Sequence, residues 1–121
     1  MEQPEQKEKT LAIKVRGVNN GFSIKKNGIV EIKIECDGSQ IVNVLGILQL
    51  AGQSIEAVAK IGKDKVKIGI FSFYGLHIDR DGDSKLVLQS DSENINMVAV
   101  ETLYQEQEVV KFMFASAEKV Q

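Results

Sequence analysis

The order of hydrophobic periods along the chain predicts an α+β fold: a mostly antiparallel sheet or partial barrel built from hairpins, with one long apolar helix packed on it. Three observations carry this. Apolar and polar residues alternate at a period of two across residues 11–16, 30–36 and several segments beyond residue 66. Turn dipeptides such as Asn20-Gly21, Asn27-Gly28 and Asp81-Gly82 separate those segments, and Asn and Gly accept the positive φ that tight reversals need. Between the two sets of strands, residues 40–61 gather their apolar side chains at a period near 3.6.

The first strand is expected at residues 11–16, where Leu11, Ile13 and Val15 alternate with Ala12, Lys14 and Arg16. It runs into Asn19-Asn20-Gly21, a hairpin signal, followed by the short stretch 22–26 and a second signal at Asn27-Gly28. Val30, Ile32, Ile34 and Cys36 then alternate with Glu31, Lys33 and Glu35. The first third therefore reads as a three-stranded meander.

At Asp37-Gly38-Ser39 a helix is expected to start, with Asp37 or Ser39 as N-cap. At about 100° per residue, Ile41, Val44, Leu45, Ile47, Leu48, Ala51, Ile55, Val58 and Ala59 form one wide face, opposite a stripe of Gln49, Gln53, Glu56 and Lys60. The stripe keeps its phase across Gly52, so one helix over about 40–61, roughly 33 Å long, is preferred to two short ones. Val42, Leu50 and Ala57 lie outside even that broad face. Such a helix either lies deep across a curved sheet beneath loops or also meets another subunit.

Residues 66–78 read as a long strand, bent or bulged at Gly69 and Gly75. A three-residue loop, Arg80-Asp81-Gly82 with Gly82 left-handed, pairs Leu76 with Leu86 and Tyr74 with Leu88 and keeps one apolar face continuous. Residues 95–104 are expected as a strand, and residues 109–115 as another with apolar side chains on both faces, internal to the sheet or at an interface.

At 121 residues, 43% apolar and 26% charged, the composition is that of one globular domain. The expected organisation is a disordered tail at 1–10, a single domain at 11–116 and a C-terminal tail at 117–121. The charged start Glu2, Glu5, Lys7, Glu8, Lys9 lacks the apolar run of a secretory signal, and the apolar run nearest to a membrane span, 41–51, is broken by Asn43, Gly46 and Gln49. A single cysteine cannot close an internal disulfide. A cytoplasmic protein is the expectation. Two arginines, Arg16 and Arg80, among many lysines, isoleucines and asparagines point to AT-rich codons, hence a low-GC bacterium or its phage.

Chemical motifs are sparse. Asp79-Arg80-Asp81-Gly82-Asp83 places carboxylates at alternate positions, yet a calcium loop counted from Asp79 needs Gly and a carboxylate where Ser84 and Ser90 stand. Cys36 and His77 are the single members of their types: too few for a structural zinc site, and as a nucleophilic dyad they lack local support. No Gly-rich phosphate-binding pattern occurs. No cofactor, metal or catalytic set is expected.

With a net charge of -2 there is no global field that attracts nucleic acid. A local one is expected at Lys60, Lys63, Lys65 and Lys67, joined by Lys25 and Lys26, with Phe71, Phe73 or Tyr74 as a stacking surface for a base. The preferred functional expectation is a noncatalytic interaction or assembly protein that associates with itself, through Val42, Leu50, Val109 and Met113. The rival is a single-stranded nucleic-acid or nucleotide-binding module using the Lys60 to Lys67 cluster, and a small enzyme comes third.

Overall fold

The computed structural model describes residues 12–117, so the expected tail at 1–10, and all but the first residue of the one expected at 117–121, lie outside the described residues. Six strands and two α-helices follow in the order β1 (Ala12–Ile24), β2 (Ile29–Cys36), α1 (Ile41–Gly46), β3 (Ser54–Ile61), β4 (Asp64–Ile78), β5 (Ser84–Asp91), α2 (Met97–Glu106) and β6 (Val110–Ser116). The strands close into a barrel in the order β1-β2-β5-β4-β3-β6, every neighbour antiparallel. The mostly antiparallel sheet is thus present, and closure leaves it no unpaired edge.

The barrel closes because β1 is long enough to serve two partners. Residues 12–17 pair with β6 and residues 18–24 with β2. Asn19-Asn20-Gly21, expected as a hairpin, is instead a bulge: the register steps from Asn19 opposite Ile34 to Gly21 opposite Lys33. The extra residue, Asn20, gives its side-chain amide to Glu35 Oε1 at 2.6 Å. A bulge bends a strand without reversing it, so the expected three-stranded meander is one hairpin with an extended first arm.

The long helix at 40–61 does not form. A 3₁₀ turn at Gly38–Gln40, α1 and a second 3₁₀ turn at Ile47–Leu50 complete the helical segment, after which Ala51 is extended (ψ 138°) and Gly52 takes φ 85°. A positive φ costs glycine little, and it redirects the chain into β3. There Ile55, Ala57 and Ala59 are buried while Glu56, Val58 and Lys60 point outward, a period of two that small and β-branched residues had disguised as a helical face. Pairing with β4 on one side and β6 on the other decides the matter.

The expected strand at 95–104 is likewise α2. Asn96 caps it by accepting from the Ala99 backbone N–H at 3.1 Å, and Ala99, Val100 and Leu103 turn inward at helical spacing. Elsewhere the period-two reading holds. Gly82 is left-handed in the turn that joins β4 to β5, and Leu76 stands opposite Leu86. A bulge at Tyr74 brings Phe73 rather than Tyr74 opposite Leu88.

Inside the barrel lie Val15, Val30, Ile32, Ile34, Ile55, Ile68, Phe71, Leu86, Leu88, Phe112 and Phe114. α1 follows the C-terminal end of β2 and α2 that of the antiparallel β5, so the two helices close opposite ends. Among the described residues no helix is long and apolar enough to cross a membrane.

Candidate nucleic-acid interface

Alternation fixes which side chains point outward, and register then fixes which outward side chains meet. On the outer surface Arg16 of β1 stands opposite Lys111 of β6, Lys111 opposite Lys60 of β3, and Lys60 opposite Lys65 of β4. Four cations, all exposed, therefore follow one another across four of the six strands; the row runs half-way round the closed barrel, so Lys60 and Lys111 share its middle while Arg16 and Lys65 point outward from opposite walls. Directly opposite side chains on adjacent strands lie about 5 Å apart, and like charges there repel. Among the described residues none of the four is ion-paired to a carboxylate.

The next outward row consists of Lys14, Met113, Val58 and Lys67, in the same strand order. Its ends are basic and its centre is apolar and half-buried. Lys67 reaches Glu56 Oε2 at 3.4 Å, which neutralises one corner of the face. Lys63 occupies the two-residue turn between Ile61 and Asp64, just beyond the row.

Of the expected basic cluster, Lys60, Lys63, Lys65 and Lys67 thus share one face. Lys25 and Lys26 do not join them: they sit in the β1–β2 turn, and β5 on one side or β6 on the other separates that hairpin from β3–β4. Lys25 Nζ also lies 3.7 Å from Glu31 Oε1. The aromatic half of the expectation fails. Phe71 is inside the barrel, Phe73 is half-buried, and the exposed Tyr74 is nine residues along β4 from Lys65, about 30 Å at strand rise. Lys14, Arg16 and Lys111, which the sequence did not connect to the cluster, come from strands at the two ends of the chain; their outward phase was legible, their neighbours were not.

The residues expected to mediate self-association scatter. Leu50 is only 3% exposed and belongs to the core. Met113 is half-buried within the basic face, while Val42 and Val109 are exposed on separate elements. α1 and the turn after it do present a short apolar stripe, Val42, Leu45 and Leu48, with Val42 77% exposed.

A cleft of about 770 Å³ opens where β1 passes from β6 to β2; Arg16 is itself part of its wall, together with Glu35, Asp37, Asp79, Asp83 and Val109. Three of these four carboxylates already have local duties. Asp37 accepts from the Ser39 N–H at 3.0 Å, Asp79 accepts from the Asp81 and Asp83 N–H groups at 2.9 and 3.1 Å, and Glu35 holds Asn20. They mark the acidic limit of the basic face. Cys36 also belongs to the cleft's lining but is only 2% exposed, and its thiol is pushed up to about 11, chiefly by burial. His77 is exposed on β4, with β5 between it and the strand of Cys36, so the two do not form a dyad.

Comparison of the chain with protein-family models, with curated proteins and with solved structures returned no match.

Proposed function

We propose that this chain is a binding protein that holds the phosphate backbone of a nucleic acid against the basic face formed by β4, β3, β6 and β1. The observation that carries this reading is the row Lys65, Lys60, Lys111 and Arg16, four cations that the register sets side by side. Like charges so placed repel one another; an aligned series of phosphates relieves the repulsion and releases its own condensed counterions. The overall charge of -2 does not oppose this, because screening confines the effective field to about 8 Å at physiological salt. The reading keeps the expected lysines, drops Lys25 and Lys26, and adds Lys14, Arg16 and Lys111.

The test is binding of a labelled oligonucleotide to the full chain and to a Lys60→Glu, Lys111→Glu double variant. The wild-type chain is expected to bind in a salt-sensitive manner and the variant to lose about tenfold or more in affinity. Equal affinity of the two chains would remove the proposal.

A second reading, association with another copy of the chain, is supported by the exposed stripe Val42, Leu45 and Leu48 rather than by the long helix first expected. Light scattering across a wide concentration range, with Val42→Glu as the control, tests it; a strict monomer throughout counts against it.

A further inference from the structure

We infer that the cleft between β1, the end of β2 and the β4–β5 turn is a second binding site, for a short zwitterionic peptide whose free ammonium and carboxylate ends meet Asp83 and Arg16. The site goes beyond the nucleic-acid reading and shares only Arg16 with the basic row. Its volume of about 770 Å³ falls within the roughly 300–1,000 Å³ of small-molecule pockets. Two contacts fix its shape. Gln40 Oε1 accepts from the Arg16 backbone N–H at 2.9 Å, which ties the 3₁₀ turn at Gly38–Gln40 to β1. That turn also packs on the β4–β5 turn so closely that a Cβ on Gly38 would lie 3.0 Å from the Asp81 carbonyl oxygen. The walls are therefore set before a ligand arrives, which spares binding the cost of ordering them.

The charges in the cleft select the ligand. Arg16 and Asp83 both line it and both are exposed, yet among the described residues neither side chain is hydrogen-bonded or ion-paired. Glu35, Asp37 and Asp79, by contrast, accept from Asn20, from the Ser39 N–H, and from the Asp81 and Asp83 N–H groups. Opposite charges that share a cleft without touching leave a gap that one ligand bearing both signs bridges, with a charge-assisted hydrogen bond at each end. The planar guanidinium of an arginine matches a carboxylate, and Asp83 then takes the ammonium group. A single amino acid fills a small part of the volume, whereas three residues in extended form span about 10 Å. Val109, 59% exposed, and the half-buried Val18 offer an apolar wall to the side chains of such a peptide.

The experiment follows the backbone amide chemical shifts of the full chain by NMR at low salt while tri-alanine, its N-acetylated form, its C-amidated form and free alanine are added in turn. Tri-alanine is expected to bind with a dissociation constant of about 1 mM or tighter. Each blocked form is expected to bind about tenfold more weakly, because each block removes one charge-assisted hydrogen bond. Asp83→Asn should lose about tenfold for tri-alanine and no longer distinguish it from the acetylated form; Arg16→Gln should do the same with respect to the amidated form. Both variants are expected to keep the wild-type circular dichroism spectrum. An amidated peptide bound as tightly as tri-alanine, or tighter, would overturn the inference in favour of a cleft that takes cations alone. An acetylated peptide bound as tightly would overturn it in favour of anions. Free alanine bound as tightly as tri-alanine would overturn the assignment to a peptide and support the pairing of charges. No shift up to about 10 mM tri-alanine, or full affinity in either variant, would overturn the site. Oligonucleotide binding at Lys60 and Lys111 is read by a different probe, so the two sites stand or fall separately.

Discussion

Lys60 and Lys111 stand directly opposite one another on β3 and β6, and neither is ion-paired among the described residues. Each also has a second cationic neighbour, Lys65 for the one and Arg16 for the other. A folded chain without ligand bears this repulsion, which sets up the first expectation.

Replacing Lys111 by Gln removes two like-charge contacts and leaves the outward position solvated. The variant is expected to be more stable than the wild type by a few tenths of a kcal/mol, within the roughly 0.2–1 kcal/mol range of cross-strand pairs. The gain shrinks as salt rises, because exposed charges are screened. Thermal melts at low and high ionic strength read both effects, while nucleic-acid affinity moves the opposite way.

Asn96 supplies the N-cap of α2 through its bond to Ala99 N. Asn96→Ala is expected to destabilise the fold by about 1 kcal/mol, as seen in denaturant midpoint with an unchanged slope. A residue in a strand at that position would show no such capping loss.

The Cys36 thiol, raised from 9.0 to about 11 mainly by burial, is a poor nucleophile near neutrality. Since the thiolate is the reactive form, alkylation of the native chain by iodoacetamide should run at least about a hundredfold slower than in denaturant. Equal rates would show that the wall around Cys36 opens readily.

Glu31 is held below its ordinary carboxylate value of 4.5, first by the hydrogen bond from Gln89 Nε2 and then by Lys25 and Lys33, against an opposing effect of burial. A carboxylate lowered on folding stabilises the native state fully at pH above its unfolded value, and the contribution is lost as pH falls through the folded one. Wild-type stability should therefore fall more steeply below about pH 4.5 than that of Glu31→Gln. Parallel pH profiles of the two chains would sink the assignment.

Much of the barrel was legible in local pattern. The alternation at 30–36 placed Val30, Ile32 and Ile34 inside, and the loop with left-handed Gly82 brought Leu76 opposite Leu86. Both features depend only on the pleat and on turn stereochemistry, which act over a few residues. The segment 54–61 was read wrongly because Ile55, Val58 and Ala59 satisfy a helical face as well as Ile55, Ala57 and Ala59 satisfy a strand. At 95–104 the Asn96 cap was the missed signal.

Taken alone, the chain's residues determined where most strands run, which side chains leave the surface of each of those strands, and that Lys65 and Lys67 share an outward direction on one of them. Only the tertiary structure decided that β3 inserts between β4 and β6, that β1 closes the barrel, and that Arg16 and Lys111 complete the cationic row. The reason is physical. Outward phase is a property of one strand, whereas the neighbours across a sheet are set by hydrogen bonds between segments distant in the chain, chosen by how the whole apolar interior closes.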